Sequence, residues 1–185
     1  MDITKREPHV YLRVGPSGSG HTGFIEDLAS TCKLKLFMKH TVTPKKFCID
    51  RGFTKFGKKV DHCKEPNMIA FDDFKASGMC RTRPIVYARW PTMTHTIVFS
   101  MNDKGMKSCG EIDADDVIAH AFGLDNGHWH MLYRMITEIH HMLPDGTVRI
   151  LACGGKQLEE AIVLTPKECM AREIAPKPSI LNPPS

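Results

Sequence analysis

The chain has 185 residues, 42% of them hydrophobic, and a formal net charge of +4. That length fits one domain plus a tail, and that composition suits a soluble globular protein with one sizeable core. The charge is compatible with an acidic partner, but it is too weak, and its Lys and Arg too scattered (Lys45–Lys46, Lys58–Lys59, Arg81 and Arg83), to argue for nucleic acid.

The opening MDITKREPHVYL holds no apolar stretch long enough for a signal peptide, and no segment approaches a membrane span. The cysteines number seven, an odd count with no C-x-x-C pair, which predicts reduced thiols in the cytosol or nucleus rather than a disulfide framework or zinc ribbon.

In chain order, His9 to Val14 alternates around Val10, Leu12 and Val14 and reads as a half-buried strand. The glycines of Gly15 to Gly20 demand a turn or loop, and Phe24 to Ala29 suits a short helical turn inside it. Lys33 to Leu36 alternates again, as a second strand. Thr43 to Asp50 suits a helix, with Thr43 as N-cap and Pro44 at the first helical position. Arg51 to Gly57 is a glycine-punctuated loop, and Arg83 to Arg89 and Thr96 to Met101 are β-rich runs. The apolar spacing of Met131 to Leu143 fits a helix in its second half, ending at Pro144-Asp145-Gly146. Thr147 to Ala152 reads as a final strand, and the Pro-rich stretch over 161–185 as a flexible tail. Short strands with turn signals and two good helices predict a mainly β barrel or sandwich.

The most conspicuous string is GPSGSGHT, Gly15 to Thr22. A phosphate-binding P-loop has the form G-x-x-x-x-G-K-[ST], with backbone amides around the phosphates and a Lys on the terminal ones. Here His21 stands at the Lys position. An upstream strand and a following helical turn fit that motif's context, and HTVTPKKF (His40 to Phe47) faintly resembles the HTTR-x-P segment of guanylate kinases. The competing reading is a flexible hairpin connection in which Gly supplies positive φ.

Several separated strings resemble cyclophilins in order and spacing. Pro8 to Val14 resembles that family's first strand and Leu34 to Phe37 its second, which makes residues 15–32 an enlarged first hairpin. TPKKF (Thr43 to Phe47) resembles the first helix. GFTKFG (Gly52 to Gly57), then Met68, Asp73 and Phe74, match the spacing of the GF-x-x-x-G and FM-x-Q-x-GDF segments. FSMNDKG (Phe99 to Gly105), LDNGHWHML (Leu124 to Leu132) and VRILACGGKQL (Val148 to Leu158) resemble the later strands. The resemblance implies an eight-stranded antiparallel β-barrel capped by two helices over residues 1–160. The activity it implies is prolyl cis–trans isomerisation.

Most residues that would act on proline are replaced. The resemblance puts the family's Arg, a fork of donors that stabilises the twisted amide, at His62, preceded by Asp61; a neutral imidazole offers no such fork. The first pocket Phe falls on Asn67, the Met is kept as Met68, and the Gln falls on Ala70. The Ala-Asn pair falls on Asn102 and Asp103, and the second pocket Phe on or near Ala114. The groove-closing Trp falls on Phe122 or Gly123, while Leu124 and His128 are retained. The expectation is a non-catalytic module that binds a protein or peptide segment, without cofactor or metal and with weak or absent cyclosporin binding. A weakly active isomerase and a degenerate guanylate-kinase-like P-loop domain are the alternatives. The late histidines His120, His128, His130, His140 and His141 lack Cys or carboxylate partners at convincing spacing, and EIDADD (Glu111 to Asp116) reads as a solvated acidic loop.

Overall fold

A computed structural model describes residues 9–34, 36–40, 68–72, 96–122, 136–154 and 156–174. In chain order these form β1 (His9–Gly15), α1 (His21–Thr31), β2 (Leu36–His40), β3 (Met68–Asp72), β4 (Thr96–Asn102), α2 (Ala114–Phe122), β5 (Glu138–Met142), β6 (Val148–Cys153), β7 (Lys156–Leu164) and α3 (Pro166–Ile174). Strand residues outnumber helical ones, so the described part is mainly β.

All seven strands lie in one sheet of order β2-β3-β4-β1-β5-β6-β7. The pairs β1–β4, β1–β5, β2–β3 and β3–β4 are parallel; β5–β6 and β6–β7 are antiparallel. The antiparallel barrel expected from the cyclophilin resemblance is therefore not how these strands are arranged. Parallel neighbours need a crossover rather than a hairpin, because the chain must return to the same edge before starting the next strand. The expected enlarged hairpin over 15–32 is instead a loop and an α-helix, and β1 pairs with β4 and β5 rather than with β2.

The pairing explains the composition of the strands. β1 is buried along nearly its whole length, as is β4, so neither shows the one-sided pattern of a half-exposed strand. Tyr11 and Arg13 face one side of the sheet, with Glu138 and His140 beside them in the β1–β5 register. On that side Tyr11, Met68, Ala70, Val98 and Met142 form a core with Phe24, Ile25 and Leu28 of α1 and Cys169 of α3.

β5 corrects the expected helix. Its apolar residues Ile139 and Met142 fit a helical period as well as a short strand buried on both faces, and every residue from Glu138 to Met142 is buried. Periodicity alone does not separate these cases; the backbone partners offered by β1 and β6 do. Of the expected tail over 161–185, residues 161–174 are strand and helix, and 175–185 lie outside the described residues. Residues 156–164 are paired as β7, and α3 follows at once and packs on α1. The T-P-K-E sequence that starts α3 is a capping box: the Glu168 amide donates to Thr165 Oγ1 at 3.2 Å, and the Thr165 amide to Glu168 Oε2 at 2.8 Å. EIDADD likewise opens α2, since the amides of Asp113 and Asp116 bond each other's carboxylates. The expected helix over Thr43 to Asp50 and the strand over Arg83 to Arg89 lie outside the described residues.

If α3 belongs to the core, ending the chain after Leu164 uncovers Tyr11 and the α1 face. The expected loss of unfolding free energy in urea is at least about 2 kcal/mol, the size of one large core truncation. A disposable tail would leave the urea midpoint unchanged.

Candidate functional site

Parallel strands end at a common edge. Gly15 ends β1, Asp72 ends β3, Asn102 ends β4 and Met142 ends β5. The chain leaves β1 for β2 on one flank of the sheet, whereas β5 lies on the other flank of β1. Such a reversal opens a crevice beyond the carboxyl ends of the strands, the usual ligand position in open sheets with parallel strands. Gly15 sits opposite Asn102 in register, and the Asp103 amide donates to the Gly15 carbonyl at 3.1 Å.

The Gly-rich loop occupies this crevice edge. The Ser19 amide closes a turn on the Pro16 carbonyl at 3.1 Å. Gly18 and Gly20 take φ of 82° and 91°, values that disfavour any other residue. Gly20 is the N-cap of α1, with no side-chain cap and no acidic residue in the first turn. The first amides of α1 are thus not neutralised by a carboxylate, and the helix dipole adds partial positive charge there. A Cβ on Gly15 would lie 2.8 Å from Met142 Cβ and 2.9 Å from the Met142 carbonyl, so the loop can leave β1 only at a glycine.

Thr22 and Asp72 meet across the edge. Thr22 Oγ1 donates to Asp72 Oδ2 at 2.6 Å, and Ser100 Oγ to Asp72 Oδ1 at 2.8 Å. The loop, β3 and β4 are thereby joined through one carboxylate. His21 turns back on its own loop, with Nε2 donating to the Gly15 carbonyl at 3.3 Å. Its Nδ1 is buried without a hydrogen-bond partner, and so is Ser19 Oγ. Buried polar atoms are nearly always paired, so the Ser19 hydroxyl beside the loop is a donor left for a water or ligand to bond. Burial holds the His21 imidazole below its ordinary value; Arg13 adds to this, while the Gly15 hydrogen bond, Asp72 and Asp103 oppose it. Near neutral pH the ring is uncharged.

Beneath the loop lies a buried polar cluster. Arg13 Nη1 donates to His140 Nδ1 at 2.7 Å, Nη2 to Met142 Sδ at 2.8 Å, and Cζ stands 3.4 Å from the centre of the Phe24 ring. An arginine only donates, so His140 accepts at Nδ1 and carries its proton on Nε2, which donates to Glu138 Oε2 at 2.7 Å. Burial lowers the Arg13 pKa to about 10, which leaves it cationic. From α3, Arg172 reaches Glu138 at 3.4 Å and Glu173 accepts from the Tyr11 hydroxyl. Phe24 of α1 is thus seated on a charge that α3 and β5 help to hold.

Of the residues predicted to form a proline groove, Met68 and Ala70 are fully enclosed in the core and line no surface. Ala114 is buried in α2, and Phe122 is that helix's last residue. Asn102 and Asp103 do reach the candidate site, at the end of β4, where the Asn102 carbonyl accepts from His120 Nε2 at 2.8 Å. Asp61, His62, Asn67, Leu124 and His128 lie outside the described residues. Among the described residues no group of three or more His, Cys, Asp or Glu is placed to hold a metal ion. Asp72 and Ser100 were not singled out from the sequence. The signal for Asp72 was an apolar run ending in a carboxylate, Met68 to Asp72; for Ser100 there was none, because a hydroxyl within a β-rich run is common.

A separate cleft of about 360 Å³ lies between the start of α2 and strands β6 and β7, spanned by the Arg149–Glu111 ion pair at 2.7 Å. It includes no residue of the Gly-rich loop. No protein-family model matches the chain, and no curated protein matches it with significance.

The close approach of Met142 to Gly15 predicts that Gly15→Ala costs about 1–3 kcal/mol in urea unfolding, the range for overpacking; an unchanged midpoint would mean that the loop can leave β1 by another path.

His140 gives a pH prediction. Burial, reinforced by Arg13, depresses its pKa in the folded state, against the pull of Glu138 and Glu173. The unfolded chain therefore binds a proton from about pH 6.5 downward that the folded chain resists, and stability falls as pH drops through that value. His21 and His141 are shifted in the same direction. Thermal melts should show a lower Tm at pH 5.5 than at pH 7.5. His140→Gln should be less stable throughout but with a shallower slope, since one such group contributes at most about 1.4 kcal/mol per pH unit. An unaltered slope would contradict the assignment.

Proposed function

We propose that this chain is a P-loop-type domain that binds the phosphates of a nucleotide at Gly15 to Thr22. One observation carries the reading: GPSGSGHT joins the carboxyl end of a buried central parallel strand to the start of an α-helix, and its terminal Thr22 bonds a carboxylate at the end of β3, one strand beyond the neighbouring β4. Backbone amides of a Gly-rich loop and an uncapped helix start are the groups that cradle phosphate oxygens. The orphaned Ser19 Oγ supports the same assignment, as a hydroxyl free to donate.

The nucleotide phosphates of such sites travel with a magnesium ion. Hydroxyl and carboxylate oxygens suit that ion, and Thr22 and Asp72 present one of each in mutual contact, so this pair would hold it. Bound there, the ion supplies charge neutralisation for the phosphates. The chain's own contribution is to position them, through the amides of the loop and the dipole of α1.

The guanylate-kinase resemblance of His40 to Phe47 adds little, because only His40 falls among the described residues. The cyclophilin-like readings, a peptide-binding pseudo-isomerase or a weak isomerase, require a groove on an antiparallel barrel. No observation among the described residues favours either, and Met68 and Ala70 are enclosed rather than available.

Calorimetric titration of the full chain with ADP and magnesium tests the reading. Saturable binding is expected, weakened about tenfold or more in Thr22→Val and in Asp72→Ala, the size of a hydrogen bond to a charged group. Glu160→Ala on exposed β7 should bind as the native chain does. Absence of saturable binding by ADP, ATP, GDP and GTP alike at millimolar concentration would sink it.

A further inference from the structure

We infer that this loop is built for a chain of two phosphates, so that a nucleoside diphosphate binds at least as tightly as the triphosphate. The inference rests on the phosphate-binding reading and narrows its ligand class. In a P-loop the backbone amides cradle the inner phosphates and the Lys reaches the last two, so the third phosphate depends on that Lys more than the second does. Here that position is His21, shorter than Lys. Its Nε2 proton is already given to the Gly15 carbonyl, which leaves a lone pair at Nδ1. A lone pair is an acceptor, and a phosphate oxygen is an acceptor too, so His21 offers the terminal phosphate nothing to bond.

The cation beneath the loop does not stand in for it. Arg13 is committed to His140, Met142 and the face of Phe24, inside the core. Asp72 is at the same edge, bonded to Thr22 and Ser100, and Asp103 follows at the end of β4. Neither carboxylate is a donor, so neither replaces the lost Lys. The inner cradle is untouched by the replacement: Gly18 and Gly20 keep their left-handed backbone, and the start of α1 is uncapped.

The test is calorimetry on the full chain with magnesium and either ADP or ATP under identical conditions. ADP binding as tightly as ATP, or more tightly, is the expected result. His21→Lys, checked for native circular dichroism, should tighten ATP about tenfold or more while changing ADP by less, as one added charged hydrogen bond to the terminal phosphate requires. Tighter binding of ATP than of ADP by the native chain would overturn the inference while leaving the phosphate site in place. Binding of neither nucleotide would instead remove the site itself. The native comparison needs no variant, so a His21→Lys protein that fails to fold does not shield the inference.

Discussion

Strand β1 is hydrogen-bonded on both sides to parallel neighbours, β4 and β5, and most of the structure follows from that. A strand so placed is buried on both faces, so its side chains must be apolar or internally paired. It must also leave the sheet at the edge where β3, β4 and β5 end. The Gly15 backbone is wedged against Met142 there, and the chain turns through Gly18 and Gly20 straight into α1. The loop is thus positioned by the sheet rather than by its own contacts, and a Gly-rich segment that would be floppy in a hairpin acquires a fixed direction.

The same constraint explains Arg13. A cation in the middle of a doubly paired strand cannot reach water, and an unpaired buried charge would be very costly. His140 accepts from it, Met142 and Phe24 lie against it, and Glu138, Arg172, Glu173 and Tyr11 extend the polar cluster to α3. The result is a mechanical link: α3 and β5 brace the charge on which Phe24, two residues after Thr22, is seated. Removing one partner of such a cluster usually costs more than the pair is worth, because the other is left buried and unsatisfied. Helix α3 therefore belongs to the support of the loop.

Legibility in the sequence followed the number of structural alternatives each segment had. β1, β4 and β6 were readable because β-branched and aromatic runs bounded by turn residues have few other uses. The loop was readable as a loop, but whether it joins a hairpin or starts a crossover depends on which strands pair with β1. That information lies in Thr96 to Asn102 and Glu138 to Met142, far along the chain. β5 was misread because two apolar residues and two histidines in EIHHM satisfy a helical period and a doubly buried strand equally. The barrel followed from short family-like strings, such as Val148 to Leu158, that report a strand and its turn but not the direction of its neighbours. The capping boxes at Asp113 and Thr165 were legible in hindsight; the acidic and Pro-rich composition around them drew the reading toward loop and tail. Asp72 needed the parallel register of β3 and β4 to come within reach of Thr22.

The central claim is that the carboxyl edge of the parallel strands, at Gly15 to Thr22, is where a ligand binds. Amide chemical-shift mapping of the isotope-labelled full chain during titration with ADP and magnesium tests it most directly. Saturable shifts are expected, largest from Gly15 to Thr22 and extending to Asp72 and to Ser100 through Asp103. Saturable shifts centred instead on the cleft at Glu111 and Arg149, or none at all, would contradict it.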